Sequence, residues 1–452
     1  MRNKKVFKLL LIASSVLISG CQKNNDVTPE DDTSTYIDVK ADSFYSDKQY
    51  DFKFKYNDSF FERSAKTFDK DLASLSLGYA FTSGKKTTSR TFIESIGFSD
   101  IDDSSFDVPK SIDSIGFAIA KKEINDYVVV GVFFRSLKYG PEWGNNLTIG
   151  VEGDHLGFSL RAEEVKASLE SYISERCKEK TLKLWISGYS RGGGISNLLA
   201  SLILRNNSGY IRQENMFVYT FGAPNAVNEK DCVAYENVHN IVNGADIVAN
   251  IPPNSYGLKR CGIDYDIYNQ NMAEIMHDFD NEISVPSFVS IENQEGGTIT
   301  NDKELTNYLI SIISEEKEDK SKSAETRELF VTNYETAIRN MLLRMLQLSS
   351  ATLNQMLSDF QKLGSSDILK IIYDNTGTKL KDFLKPYLDL DHIEYSEEVL
   401  KEDCATIIKA AFSILINPIM IFLSDKYRGN MTRIINMHYS DTYYALFLNY
   451  IK

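Results

Sequence analysis

The pentapeptide Gly-Tyr-Ser-Arg-Gly centred on Ser190 constrains the fold of this chain more than any other feature, because of what flanks it. Residues 182–186 form a short apolar run that predicts a strand, and residues 195–204 form an apolar run that predicts a helix. A serine in this setting is typical of a tight elbow that lifts the hydroxyl above a sheet. Glycine at Gly188 and Gly192 leaves room where the two backbones pass closely. Ser190 is therefore the candidate nucleophile, and the alternative is an ordinary glycine-rich turn.

Apolar segments of strand length alternate with segments of helical periodicity through the first part of the chain. Strands are predicted at 114–120, 126–134, 182–186, 216–221 and 238–242, and helices at 60–80, 89–96, 160–176 and 195–204. Residues 127–134 are continuously apolar, as expected for a strand that is covered on both faces. This alternation indicates a mostly parallel sheet between two layers of helices. The predicted fold class is α/β, and the elbow favours an α/β-hydrolase.

A nucleophilic serine needs a base, and the base needs a carboxylate that orients it. In α/β-hydrolases the acid and then the histidine follow the serine along the chain. Asp246 comes shortly after the predicted strand at 238–242, at its carboxyl end, where such sites form. We therefore predict Asp246 as the acid, and the alternative is an aspartate of an ordinary turn.

The five histidines of the chain are His155, His239, His277, His392 and His438. The first two precede Asp246, so the chain order disfavours them. His277 lies in a segment without a clear pattern, and His392 is flanked by acidic residues in a segment typical of an exposed loop. His438 lies between a predicted last strand at 432–436 and an apolar helix at 443–450. This position predicts His438 as the base.

A long helical block precedes this last segment. Residues 303–428 show helical periodicity and no strand pattern, which predicts a helical insert, or cap, before the last strand of the sheet. Residues 36–302 and 429–452 are then the two parts of the hydrolase core. Within the insert, residues 410–423 are strongly apolar but are interrupted by Pro418, so they predict a buried cap helix or, alternatively, a surface that contacts lipid.

The first residues have the pattern of an export signal. Residues 1–20 combine four basic side chains with a short apolar stretch and the small residues Ser19 and Gly20. Cys21 follows directly and resembles the lipid-attachment cysteine of a bacterial lipoprotein; the alternative is a plain signal peptide with an incidental cysteine. Residues 21–35 are almost entirely polar, which is typical of a flexible tether. We therefore expect a lipid-anchored protein on the outer face of the cell membrane.

Charge and cysteine usage exclude several classes of partner. The formal net charge is −13, and loss of the four basic residues of the signal would bring it near −17, which argues against nucleic acid and against electrostatic binding to anionic lipid. Besides Cys21 the chain contains Cys177, Cys232, Cys261 and Cys404, which could pair in three ways. The absence of any Cys-x-x-Cys spacing argues against a metal site, and we expect no metal and no cofactor.

Several of these segments resemble the class 3 lipase family, the fungal-type lipases that also occur in bacteria. The matching segments are residues 188–193 (Gly-Tyr-Ser-Arg-Gly-Gly) at the elbow, 220–224 (Thr-Phe-Gly-Ala-Pro) at a strand end, 238–253 around Asp246, 134–136 (Phe-Arg-Ser), 154–158 and 438–444. The resemblance runs from about residue 72 to residue 444, except for the helical insert. It implies an α/β-hydrolase with a Ser190, Asp246 and His438 triad, and a structural role for His155.

Two departures from the family pattern affect the predicted oxyanion hole. The family has glycine and then serine or threonine where this chain has Ser136 and Leu137. The backbone N–H groups of Leu137 and Arg191 can still serve as the two donors, without help from a hydroxyl. A residue other than arginine more often follows the nucleophile in the family, and we expect Arg191 to pack or pair structurally.

The resemblance implies hydrolysis of an acyl ester, with lipid as the expected substrate. A thioesterase, a carbohydrate deacetylase or an amidase could use the same residues, and a surface lipoprotein could keep the fold only for binding. An intact serine, aspartate and histidine in the right order weigh against a binding role, because binding needs none of them.

Overall fold

The structure is a computed structural model, and it describes residues 34–110, 114–138, 142, 146, 149, 153–177, 180–205, 210–292, 296–314, 346–363, 371, 374, 376–405 and 429–452. The predicted signal (1–20), Cys21, most of the tether and the apolar segment 410–423 lie outside these residues. The limits predicted for the insert and the two core parts stay predictions.

A seven-stranded sheet forms the centre of the fold. In chain order its strands are β3 (Ser99–Asp102), β4 (Phe117–Ile124), β5 (Tyr127–Phe134), β6 (Thr181–Tyr189), β7 (Met216–Phe221), β9 (Val238–Val242) and β11 (Ile263–Asp266). Their order across the sheet is β11-β9-β7-β6-β5-β4-β3. The five strands from β5 to β11 run parallel, and β3 and β4 pair antiparallel at one edge. The predicted fold class, α/β with a mostly parallel sheet, is confirmed.

Helices cover both faces of the sheet, and each face has its own apolar core. On one face α3 (Leu156–Arg176) and α4 (Arg191–Arg205) pack against alternate residues of β5 such as Val130. On the other face α1 (Lys70–Thr82) packs against the intervening residues such as Phe133. Because its side chains alternate between two buried layers, β5 is apolar throughout its length.

An antiparallel hairpin, which the sequence analysis did not predict, precedes α1. It consists of β1 (Thr35–Asp42) and β2 (Gln49–Tyr56), and its inward residues join the core cluster of α1. Phe54 lies against Gly78 of α1 so closely that a methyl group at Gly78 would meet the phenyl ring at 2.7 Å. The hairpin therefore begins at Thr35, the last residue of the predicted tether (21–35).

The remaining elements follow the sheet or join its strands. They are α2 (Lys86–Ser95), the strand pairs β8 (Val227–Asn228) with β10 (Leu258–Lys259) and β12 (Ile291–Glu292) with β13 (Thr298–Ile299), and the helices α5 (Met272–Phe279), α6 (Asp302–Ser314), α7 (Ser350–Gln361), α8 (Thr378–Leu390), α9 (Met431–Asn436) and α10 (Ser440–Tyr450). Residues 397–405 are also helical. In the described parts of 303–428 every regular element is a helix, and α7 and α8 share a separate apolar cluster.

The predicted last strand at 432–436 is wrong, because these residues form the helix α9. Among the residues that the structure describes, the last strand of the central sheet is β11, so the described helices after residue 302 follow the sheet and no described strand of the sheet comes after them. A pair of isoleucines in a short segment fits one turn of a helix as well as a strand. Among the helices described, none is long and apolar enough to span a bilayer.

Candidate active site

The turn that carries Ser190 joins β6 directly to α4. Ser190 has a φ of +55°, a left-handed conformation that side chains other than glycine adopt rarely and at a cost of roughly 1–3 kcal/mol. Two backbone hydrogen bonds hold this conformation: the Ser190 N–H donates to the Phe221 carbonyl of β7 at 2.8 Å, and the Gly194 N–H donates to the Ser190 carbonyl at 3.0 Å. The strain lifts the hydroxyl out of the sheet at the N-terminus of a helix.

Both predicted elbow glycines lie where a side chain would collide with its neighbours. A methyl group at Gly188 would lie 2.2 Å from the Gly192 carbonyl oxygen, and one at Gly192 would lie 2.4 Å from the Ser136 Oγ. Ser136 stands where the class 3 lipase pattern has glycine. Its Oγ accepts a hydrogen bond from the Tyr189 N–H at 3.2 Å, so it ties the turn after β5 to the elbow.

The structure brings Ser190, His438 and Asp246 into one chain of hydrogen bonds. The distance from Ser190 Oγ to His438 Nε2 is 2.7 Å, and the distance from His438 Nδ1 to Asp246 Oδ2 is also 2.7 Å. Because an ionised carboxylate can only accept, Nδ1 carries the proton and Nε2 is left to accept the serine proton. This is the arrangement that proton transfer from a serine hydroxyl requires.

Asp246 is completely buried just after β9, and both of its carboxylate oxygens accept hydrogen bonds. Oδ1 accepts the Val248 N–H at 2.9 Å, and Oδ2 accepts the Tyr443 hydroxyl at 2.7 Å in addition to the histidine. The Tyr443 oxygen in turn accepts the Asn243 N–H at 3.2 Å. These donors compensate for the loss of hydration of a buried carboxylate.

Tyr443 links Asp246 to the apolar layer formed by α1 and α10. Its ring is fully buried, and burial and then the charge of Asp246 raise the pKa of the Tyr443 hydroxyl well above its usual range. The phenol therefore stays protonated and always donates to Asp246. The contact of Tyr443 with Asp246 was not predicted from the sequence, although Tyr443 lies in the apolar helix predicted directly after His438.

Tyr189, the residue before the nucleophile, orients the histidine from the other side. Its hydroxyl donates to the His438 carbonyl oxygen, and its ring lies nearly parallel to the imidazole, 5.4 Å between centroids. Asn243 adds a hydrogen bond from its Nδ2 to the Met437 carbonyl at 3.0 Å. The loop between α9 and α10 is therefore fixed by side chains of β6 and of the segment after β9.

A buried charge cluster lies beside the elbow. The Glu142 carboxylate, with a fully buried side chain, pairs with Arg135 through Oε1 and with Arg191 through Oε2, the latter at 3.0 Å. Arg191 also donates to the Ser114 carbonyl at 3.1 Å. Burial and then the charge of Arg191 lower the pKa of Arg135 to about 10, so Arg135 stays charged at neutral pH. The structural pairing expected for Arg191 is confirmed.

The two predicted oxyanion donors lie on the two turns that this cluster joins. Arg191 is the first residue of α4, whose first N–H groups have no carbonyl partner within the helix and carry the positive end of its dipole. Leu137 follows β5 and Arg135, and its half-buried side chain packs against the apolar core. Their role as donors stays a prediction.

The other histidines lie elsewhere. His155 is buried against the Phe158 ring at 4.0 Å between centroids, and His239 hydrogen bonds to the Ala65 carbonyl at 2.9 Å. His277 lies in α5 and His392 follows α8, and both are exposed. Within the described residues, no group of three or more His, Cys, Asp or Glu side chains is placed to hold a metal ion.

Comparisons with known proteins give a family match over part of the chain and no curated relative. Residues 110–256 match the family described as lipase (class 3). A search of curated protein sequences found no significant match. Similar solved structures include a fungal lipase in complex with an inhibitor (18% identity, TM-score 0.35, covering 45% of this chain and 81% of that one). A triacylglyceride lipase from Rhizomucor miehei (19% identity, TM-score 0.35, 44% and 80% covered) and a lipase from Rhizopus microsporus var. chinensis (16%, 0.32, 43% and 72%) are further examples.

The matched stretch covers about a third of the chain and holds both the elbow and Asp246, whereas His438 lies outside it. Residues 110–256 are similar to the class 3 lipase family, the mostly parallel sheet between two layers of helices is an α/β fold, and the chain is a serine hydrolase.

Proposed function

We propose that the protein hydrolyses acyl esters, with lipids as the preferred class, through a triad of Ser190, His438 and Asp246 and an acyl-enzyme intermediate. The observation that supports this proposal most strongly is the continuous chain of hydrogen bonds from the serine hydroxyl to a buried carboxylate, with both distances at 2.7 Å. A buried aspartate that serves only structure needs no histidine, and a histidine that serves only structure needs no strained serine.

In the first step His438 Nε2 takes the proton of Ser190 as the oxygen attacks the ester carbonyl. Asp246 keeps the imidazole in the tautomer with a proton on Nδ1 and stabilises the imidazolium as it forms. The imidazolium then protonates the leaving alcohol. In the second step His438 activates a water molecule, which attacks the acyl-enzyme and releases the acid, and Ser190 recovers its proton.

The negative charge that develops on the carbonyl oxygen would be held by the backbone N–H groups of Leu137 and Arg191. The N-terminus of α4 favours an anion at this point. The cluster of Arg135, Arg191 and Glu142 has a formal charge of +1, so it adds to the positive potential beside the elbow. On the side of the site that holds His438, Tyr443 and Tyr189 keep the imidazole in place.

The similarity of residues 110–256 to the class 3 lipase family supports a lipid ester as the substrate class. A thioester, an acetylated sugar or an amide would use the same nucleophile, so hydrolysis rates should be compared on matched ester, thioester, acetyl-sugar and amide substrates, each soluble and micellar. A clear preference for a long-chain ester is the expected result. A preference for the thioester, the acetylated sugar or the amide would change the proposed substrate class and leave the proposed triad unchanged.

We also propose that the mature chain begins at a diacylated Cys21 and is held at the outer face of the cell membrane. The support is the basic, apolar and small-residue pattern of residues 1–20 followed directly by cysteine. Labelling of cells with radioactive palmitate should mark the wild-type chain and leave a Cys21→Ser variant unmarked. Equal labelling of both would contradict the anchor without touching the catalytic proposal.

A fluorophosphonate probe tests the triad directly, because it reacts with an activated serine. The full chain in detergent micelles should be labelled, and both Ser190→Ala and His438→Ala should abolish labelling. His277→Ala is the matched control, since this histidine is exposed on α5, and it should label like the wild type. Labelling that survives Ser190→Ala would assign the nucleophile to another residue. A folded wild type that fails to label in micelles would favour a binding protein.

A further inference from the structure

Two cysteines come close together beside the start of β9. Cys232 lies in the segment after β8, and Cys261 lies two residues after β10, the partner strand of β8. The backbones on either side also meet, because the Gly262 N–H donates to the Val233 carbonyl at 3.1 Å. Residues adjacent to the two cysteines are therefore joined by a hydrogen bond.

The two thiols lie near each other. The Cys232 thiol donates a hydrogen bond to the carbonyl oxygen of Arg260, the residue before Cys261, at 3.2 Å. The interaction between the two thiols lowers the pKa of Cys232, whereas this interaction and burial raise the pKa of Cys261. Cys261 is 1% exposed and Cys232 is only half-buried. The pair thus has one reachable sulfur that favours the thiolate and one sulfur protected behind it.

The other two described cysteines are placed differently. Cys177 follows α3, and burial raises the pKa of its thiol although the charge of Lys121 opposes this shift. Cys404 is buried in the apolar cluster that α7 and α8 share. Of the three ways in which the four cysteines could pair, the contact between Cys232 and Cys261 favours one.

We propose that Cys232 and Cys261 form a disulfide bond in the mature protein. The Cys232 thiolate attacks an external disulfide, either a small molecule such as glutathione disulfide or a thiol–disulfide oxidoreductase, and one external thiol leaves. Cys261 then loses its proton and attacks the Cys232 sulfur of the mixed disulfide, and the second external thiol leaves. The chain loses two hydrogen atoms, and the external disulfide gains two electrons and two protons.

The bond closes a segment that contains the predicted acid of the triad. Residues 232–261 include β9 and Asp246. The main chain of Cys261 is already fixed to Asn197 of α4 by two hydrogen bonds, N–H to Oδ1 at 2.9 Å and Nδ2 to the carbonyl oxygen at 2.8 Å. The disulfide would therefore fasten the exposed residues after β8 to the helix that begins beside Ser190. It stabilises chiefly by restricting the unfolded chain and leaves the active-site geometry as it is.

Mass spectrometry of the full chain, purified in detergent without reductant and equilibrated with glutathione disulfide, tests the bond. We expect a cross-linked peptide pair that contains Cys232 and Cys261 and is lighter by two hydrogen atoms than the sum of its parts. Alkylation of both thiols under these conditions, or a cross-link of either to Cys177 or Cys404, would overturn the proposal. The result does not depend on hydrolase activity.

A thermal measurement tests the stabilising role. Reduction of the proposed disulfide should lower the Tm of the wild type by about 5 °C. The Tm of Cys232→Ser should already be low and should not respond to reductant, and Cys177→Ser should behave as the wild type does. An unchanged Tm in the reduced wild type would show that the bond does not stabilise the fold. In all these proteins the rate of ester hydrolysis at room temperature should stay within about twofold, because no triad contact changes.

Discussion

Replacing Glu142 with glutamine should lower the free energy of unfolding more than either Arg191→Met or Glu164→Gln does. The carboxylate is the shared counter-ion of Arg135 and Arg191, and the side chains of all three residues are at most 2% exposed. Glutamine keeps the shape but leaves two guanidinium groups buried without an opposite charge. Breaking a buried ion pair in this way costs about 3–5 kcal/mol in the free energy of unfolding, and the repulsion between two arginines places the variant at the upper end.

The arginine after the nucleophile offers a matched comparison. Arg191→Met fills a similar volume and leaves Arg135 and Glu142 as a neutral pair, so the loss should be smaller, about 1–3 kcal/mol, mostly for the hydrogen bonds given up. In the double variant, Arg191→Met removes one of the two arginines that Glu142→Gln leaves without a counter-ion, and with it the repulsion between Arg135 and Arg191. The combined loss should therefore be clearly less than the sum of the two single losses.

Urea denaturation followed by tryptophan fluorescence measures these differences, because Trp185 is buried in the core. Glu164→Gln is the control: it breaks the exposed pair with Arg161, and its free energy of unfolding should change by about 0–1 kcal/mol. A loss for Glu142→Gln no larger than that of Glu164→Gln would refute the reasoning. Equal losses for Glu142→Gln and Arg191→Met would also contradict it, since the argument requires that two uncompensated charges cost more than a pair.

Three further changes test other parts of the site. Tyr443→Phe removes one donor from buried Asp246, and a lost hydrogen bond to a charged group should lower kcat by roughly 10- to 100-fold with little change in KM and should alter the pH profile of kcat. Gly188→Ala places a methyl group 2.2 Å from the Gly192 carbonyl oxygen, so we expect loss of fluorophosphonate labelling together with a lower Tm. Burial raises the pKa of Asp441 in the folded protein, so its protonated form favours folding and this contribution is lost as the pH rises from about 4 through the folded-state pKa. The Tm of Asp441→Asn relative to wild type should therefore be higher at neutral pH than at about pH 4, and a difference that does not vary with pH would contradict this.

The parallel strands of the sheet were predictable because they are apolar on both faces. The limits predicted for β7 and β9 agree with the structure to the residue, since each is a continuous apolar run that ends at polar or turn residues. The same property made the elbow predictable, because a serine at the end of such an apolar run is compatible with few local conformations. Contact among the three proposed triad side chains followed from chain order alone.

The segment around His438 was harder to interpret. Residues 431–436 contain only two isoleucines, and a run this short fits a helical turn as well as a strand. The β1–β2 hairpin alternates polar and apolar residues, yet it follows a polar segment directly, which masked its beginning. The contacts of Glu142 and Tyr443 could not be predicted at all, because a single buried polar residue has no periodicity and its partners are distant in sequence.

The two halves of the proposed site are held from opposite faces of the sheet, and this separates their roles. Tyr443 reaches Asp246 from the layer of α1 and α10, so its loss should act on the base and leave the carbonyl-binding side alone. Arg191 and Glu142 lie beside the elbow at the start of α4, in the other layer, and tie it to the turn that carries Leu137. A change there should weaken the stabilisation of the oxyanion while the imidazole keeps its partners. If oxyanion donors and base are fixed independently, the effects of Tyr443→Phe and Arg191→Met on kcat should multiply, and a strongly non-multiplicative result would mean that the sheet transmits strain between them.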